Sequence, residues 1–220
     1  MHSETSHVGS NNVRLFLTGG VLAGPVYVLL GLVQMVIRPG FDPTRQDLSL
    51  LSNGNLGWIQ IGNFLLTGSL VIAAALGMRR VLGGRAWEPW LLGMYGLGLI
   101  GAGIFVADPM NGFPLGTPAG APVHPTIHGL LHIIVGAFGF VGLIAACFVF
   151  ARRFLTRQQP EWAVYSLLTG SVFLAGFFGI AAGSQQESPM LQIVTLAFTA
   201  AVLLAWSWTS AVSIYVKNHL

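Results

Sequence analysis

Charge is scarce in this sequence: Asp, Glu, Lys and Arg make up 8% of its 220 residues, against about a quarter in an ordinary soluble domain. With 54% hydrophobic residues and a mean hydropathy of +0.72, the chain has too little polar surface to cover a fold in water, which makes a lipid bilayer its solvent and first partner. The ten Lys and Arg are few and scattered, so no phosphate-tracking patch can form and nucleic acid is excluded as a partner despite a formal net charge of +3. Cysteine is almost missing. Cys147 stands alone inside an apolar run, which excludes an internal disulfide and a thiolate metal cluster and makes it a packing residue. A basic start and a small-residue cleavage site are also lacking, so the polar segment 1–12 is expected to be a retained, disordered tail, with the first helix as the insertion signal.

What is abundant is long apolar runs. About 20 such residues cross the hydrocarbon core as a helix, and six stretches meet that length, at roughly 15–37, 57–78, 88–107, 126–151, 163–183 and 191–215. The gaps between them leave no room for a soluble domain. The expected fold is therefore all-α, a polytopic transmembrane bundle of six helices over residues 13–217.

Lys and Arg in short loops resist translocation. Arg14, Arg79, Arg80, Arg85, Arg152, Arg153, Arg157 and Lys217 would share one side, and only Arg38 and Arg45 the other. Both termini are thus expected in the cytoplasm, with the protein in the cell membrane and loops 38–56, 108–125 and 184–190 facing outward. Those outer loops carry Asp42, Asp47, Asp108, His124 and Glu187.

Glycines at 93, 96, 98, 101 and 103 in the third helix read as close-packing positions rather than a nucleotide loop, since no strand precedes them. The six tryptophans fall mostly near helix ends, where indole favours the headgroup region, and read as anchors rather than ligand platforms.

Polar residues within the spans concentrate toward the outer end. Gln34 lies near the end of the first helix. Gln60, Asn63 and Thr67 descend one face of the second, and Gln192, Thr195 and Thr199 follow helical spacing at the start of the sixth. Helix three ends at Asp108-Pro109, helix four starts near Pro125 with His124 at its cap, and His128 and His132 lie one turn apart. Polar groups in hydrocarbon turn to the bundle interior or to a water-filled cavity, so these residues are expected to line one outward-opening pocket. Its centre would be Asp108, His128 and His132, flanked by the ligand-binding candidates Gln60, Asn63 and Gln192.

Two imidazoles at i and i+4 can share one ion, and Asp108 with His124 would complete a divalent metal site such as zinc. The alternative is histidines hydrogen-bonded between helices, and Asp108 has a matching simple role as the cap of a turn. Ser49 and Ser52, after Asp47, read as caps of a short helix rather than nucleophiles. Tyr165, Ser166 and Thr169 are expected to bond across helices at the other end.

Several segments together resemble a prokaryotic membrane family known as domain-of-unknown-function family 998. They are Gly57-Trp58-Ile59-Gln60 with Asn63-Phe64-Leu65-Leu66-Thr67-Gly68; Ala102-Gly103-Ile104-Phe105 with Asp108-Pro109, Gly112-Phe113-Pro114 and Gly116-Thr117-Pro118; His128-Gly129-Leu130-Leu131-His132; and Tyr165-Ser166 with Thr169-Gly170. Where that pattern has Gln-Arg at the start of helix six, this chain has Gln192-Ile193. The resemblance implies six helices and a membrane address, and no reaction. A looser similarity, to seven-helix membrane hydrolases that hold zinc with three histidines and an aspartate, differs in helix count and motif order.

Three functional readings follow. One is a membrane-embedded enzyme acting on a lipid or apolar substrate, with Asp108, His128 and His132 activating water on a metal. Another is a small-solute or proton-linked transporter or sensor using the same residues. The third is a structural membrane subunit whose polar residues only join helices. An uncharged midplane and the lack of an obvious inverted repeat argue against the transporter, and the sequence does not choose between the other two.

Overall fold

A computed structural model of the protein describes residues 2–183 and 189–219, with side chains from Asn11 onward. The described residues are all-helical: α1 His2–Ile37, a short 3-10 helix Leu48–Ser52, α2 Gly57–Leu82, α3 Glu88–Ile104, α4 Ile127–Thr156, α5 Pro160–Gly183 and α6 Met190–Asn218. Five helices are long and apolar enough to cross a membrane, α1 from Asn11 onward. The remaining helix, α3, has 17 residues, about 25 Å at 1.5 Å per residue, and hands over at Phe105 to extended chain.

The helices fall where the apolar runs lie, with ends shifted for local reasons. α1 is helical from His2, where a disordered tail was expected ahead of residue 13, and its apolar part starts at Asn11. α3 stops at Ile104 rather than 107, because Phe105 turns extended as Pro109 approaches. The cap of α4 is Thr126, whose hydroxyl accepts from the Gly129 N–H; Pro125 and His124 lie before the helix and not in its first turn. Glu187 and residues 184–188 of the third expected outer loop lie outside the described residues.

Each helix packs against its neighbours in sequence, and α1 closes onto α6, so the six form a ring. Successive helices run antiparallel, joined by two long loops at one end and by short turns between α2 and α3 and between α4 and α5 at the other. At one end lie the loops 38–56 and 105–126, and at the other lie Arg14, Arg79, Arg80, Arg85, Arg152, Arg153, Arg157 and Lys217. Small residues bring α3 close to its neighbours: a Cβ on Gly98 would stand 2.5 Å from Gly139 Cα and 2.8 Å from the Val135 carbonyl oxygen, backbone atoms of α4 that cannot move aside.

The basic end is closed by packing and one ion pair. Glu88, in the first turn of α3, accepts from Arg153 Nε of α4 at 2.5 Å. Tyr165 donates to Ser207 Oγ at 2.9 Å, and Trp208 Nε1 to Ser166 Oγ at 2.9 Å, joining α5 to α6. Trp58, Trp87 and Trp90 are exposed near helix ends, with Arg79 over the Trp90 ring. Trp206 and Trp208 depart from the expected anchoring role. Both are buried, on different sides of α6: Trp206 packs on Tyr27 and Tyr95, and Trp208, about 200° around the helix, packs against Phe150 and bonds to Ser166.

Candidate functional site

The ring of helices encloses a cavity of about 660 Å³, in the range of small-molecule sites. Every helix contributes to its wall. Tyr27 comes from α1, Phe64 from α2, Tyr95 and Leu99 from α3, Phe140 from α4, Phe173 and Phe177 from α5, and Phe198 and Trp206 from α6. Aromatic contacts set the wall's shape: Phe140 meets Phe173, Phe177 and Phe198 edge-on at 5.0, 5.4 and 5.8 Å, and Tyr27 stacks on Trp206 at 4.6 Å.

The charged lining is concentrated at the end bearing the two long loops. Arg45, Asp47 and Ser49 come from the first loop, and Asp108 and Asn111 from the second, with His132 below them on α4. The two loops are tied together. Gln46 Nε2 donates to the Asn111 carbonyl at 2.8 Å, Asn111 Nδ2 to the Arg45 carbonyl at 3.1 Å, and the Phe41 ring meets Phe113 edge-on at 5.3 Å. Arg38, just past α1, is buried under this cap. It donates to the Leu51 carbonyl at 2.8 Å and to the Asn53 carbonyl, and its guanidinium lies 5.1 Å from the Phe113 ring centre. Loss of water around it lowers its pKa from the ordinary arginine value.

Asp47 caps the 3-10 helix, accepting from Ser49 N at 2.9 Å and from the Ser49 hydroxyl at 2.5 Å. Ser52 turns its hydroxyl to the Ser49 carbonyl. Both serines are thus occupied inside the short helix, but neither is its cap: Asp47 takes the N-cap position expected for a serine and Asn53 the C-cap. Asp108 does cap a turn, but the one that starts α4: its two oxygens accept from Thr126 N at 2.8 Å and the Thr126 hydroxyl at 2.6 Å. Such a carboxylate also suits the positive end of a helix.

The expected pocket is only partly assembled. Asp108 and His132 line the cavity; His124 and His128 are exposed and do not. His128 sits beside the Phe105 ring, centres 5.9 Å apart. His132 Nδ1 meets the Phe105 carbonyl oxygen at 2.7 Å. Among the described residues no three His, Cys, Asp or Glu side chains gather so as to hold a metal ion, so the set Asp108, His124, His128 and His132 is not brought together. The reason is angular: four residues advance a helix by 400°, and at the mouth of a bundle that extra rotation is enough to send His128 out while His132 faces in.

Gln60 and Asn63 do not flank the cavity either. They are buried in the seam between α1 and α2: Gln34 Nε2 donates to Gln60 Oε1 at 2.8 Å, and Asn63 Nδ2 donates to the Tyr27 carbonyl at 3.2 Å and to Gln60 Oε1 at 3.3 Å. Gln192 is half-buried and outside the lining, whereas Thr195 and Thr199, one and two turns further, are part of it. The reasoning from sequence missed Tyr27, Tyr95, Trp206 and Arg45 as lining residues. Aromatic residues in an apolar chain carry no signal that separates wall from core, but Arg45 did carry one, as one of two basic residues on its side of the bilayer.

A family model described as "Protein of unknown function (DUF998)" matches residues 21–215. The chain belongs to this family. The match takes in all six helices of the ring, so the cavity lies within the family's own domain, which is that of a multi-pass membrane protein. No curated protein and no solved structure matches the chain.

Proposed function

We propose that this membrane protein binds an amphipathic, lipid-like molecule, its apolar part inside the ring of helices and its polar group at the loop end. The observation that carries this reading is the division of the cavity: aromatic and aliphatic walls from six helices, and the charged side chains Arg45, Asp47 and Asp108 all at one end. Recognition sites for small molecules have this composition, largely apolar with a few placed polar groups. The asymmetry of basic residues supports a loop end facing away from the cytoplasm, with both termini inside and the protein in the cell membrane.

Gly136 supplies a test that leaves the fold alone. It lines the cavity between His132 and Phe140, one turn from each on the same face of α4, and a Cβ there would meet no atom within 4 Å. Gly136→Leu should therefore project into the cavity from an unhindered Cβ and favour the helix by up to about 1 kcal/mol, with thermal unfolding to check the fold. Native mass spectrometry of the detergent-purified chain is expected to find a bound amphipath that the variant lacks. Equal lipid content in both would sink the reading.

A second reading, chemistry on the bound molecule, is favoured by His132. Its Nδ1–H points to a carbonyl, which leaves Nε2 with the lone pair of a general base. Asp108 stands at the same cavity end, so its carboxylate with His132 could serve acid–base steps without a metal. If cells carrying His132→Gln in place of the native chain show an unaltered lipid profile, this second reading fails while the binding reading stands.

A further inference from the structure

Among the described residues, the loop end holds two guanidinium groups that no carboxylate neutralises. The one salt bridge among the described residues, Glu88 to Arg153, lies at the opposite end. Arg38 gives its hydrogen bonds to two uncharged carbonyls. Arg45 lines the cavity, and its Nε is buried with no hydrogen-bond partner among the described residues. Its backbone is nevertheless fixed at both sides, with Arg45 N donating to the Asp42 carbonyl at 3.0 Å and the Arg45 carbonyl accepting from Asn111 at 3.1 Å.

Acids are at hand on these loops but are bonded elsewhere. Asp42 Oδ1 accepts from Thr44 N and the Thr44 hydroxyl, Asp47 from Ser49, and Asp108 from Thr126. Each carboxylate closes a turn or caps a helix through neutral donors. A guanidinium partly withdrawn from water beside an apolar cavity is costly unless an anion accompanies it. Its planar fork of donors matches the oxygens of a phosphate or carboxylate.

We propose that Arg45 binds an oxyanion, phosphodiester or carboxylate, in the headgroup of the molecule whose apolar tail occupies the cavity; this rests on the reading of the cavity as an amphipath site. The ligand class is then an acidic lipid. The guanidinium at the rim sets the polarity of the ligand's head, and the aromatic walls accept its tail. Arg38, outside the lining, holds the loop that presents Arg45.

The test uses the full chain purified in an uncharged detergent, titrated by native mass spectrometry with phosphatidylglycerol, palmitate and an uncharged diacylglycerol, and with inorganic phosphate alone. At least one of the two acidic lipids should bind the native chain tenfold or more tighter than diacylglycerol, and which one does so distinguishes a phosphodiester from a carboxylate. Arg45→Gln should erase that preference without weakening diacylglycerol binding, and Arg45→Lys should keep part of it. Among the described residues Arg45 has no side-chain hydrogen bond to lose, and thermal unfolding checks that the variants fold. An Arg45→Gln variant that keeps the full preference, while Gly136→Leu abolishes binding, overturns the anion assignment and leaves the cavity reading intact. Inorganic phosphate binding as tightly as the lipids also overturns it. If native and Gly136→Leu chains bind every lipid alike, the cavity reading fails and takes this inference with it.

Discussion

His132 Nδ1 lies 2.7 Å from the carbonyl oxygen of Phe105, and since a carbonyl can only accept, the neutral imidazole carries its proton on Nδ1. This one bond joins α4 to the residue that ends α3, at the rim of the cavity. Replacing His132 by Phe should lower stability by about 1 kcal/mol, the scale of hydrogen bonds between membrane helices, read as a fall in unfolding temperature in detergent. A chelator such as EDTA should leave that temperature unchanged, because Nδ1 is taken by a carbonyl and no three His, Cys, Asp or Glu side chains gather among the described residues; a chelator-induced drop would contradict this account.

Asp108 gives both oxygens to Thr126 at the start of α4. Asp108→Ala is expected to cost about 1–2 kcal/mol, as the loss of a helix cap does, and Asp108→Asn less, since an amide oxygen still accepts. Hydrogen exchange at the amides of 126–130 should rise in the alanine variant while exchange in α5 stays the same. Uniform exchange changes along the chain would show that Asp108 acts on the whole bundle.

Gln34, Gln60 and Asn63 form a buried polar chain between α1 and α2. A double-mutant cycle with Gln34→Leu and Gln60→Leu should show coupling of about 0.6 kcal/mol, at most about 1.7. Ligand binding in the cavity should survive the double variant, because the seam lies outside the lining. Additive effects would mean that the bond contributes nothing between these helices.

Two glycines of the same bundle should behave oppositely. Gly98→Ala drives a Cβ against the backbone of α4 and is expected to cost about 1–3 kcal/mol through overpacking. Gly136→Ala meets open space and should raise stability by up to about 1 kcal/mol. Chemical denaturation of both variants in one detergent decides the point.

Orientation can be read from single cysteines. Cys147 is buried and should react slowly, so Val123→Cys, at an 88% exposed position, provides a clean label on the loop end. An impermeant maleimide should modify it in intact cells and modify Arg85→Cys only after lysis. The reverse pattern would invert the assignment made from the basic residues.

Much of the ring was legible residue by residue. Apolar length found all six helices, and Gly96 and Gly98 marked the faces of α3 that pack closest. The Asp47-to-Ser52 segment announced a short capped helix, though the cap is Asp47 and not a serine, and Tyr165 and Ser166 announced the α5–α6 bonds. These readings succeed because bilayer thickness and backbone hydrogen bonding leave a membrane chain few choices. They also explain why Trp206 was misjudged: nearness to a helix end is a statement about depth, and depth does not say which way a ring points.

The site followed a different rule. Sequence by itself pointed to the polar groups near the ends of the first, second, fourth and sixth helices, since burying them in hydrocarbon is costly, and the uneven split of basic residues distinguishes that end of the bundle from the other. Only the tertiary structure decided which of them share a space. Gln60 and His132 carry equivalent signals in the sequence, yet one is sealed in the α1–α2 seam and the other borders the cavity. The rotation of each helix about its axis makes that difference, and rotation is set by packing among six helices at once, as where Gly98 meets Gly139. No single segment contains that information.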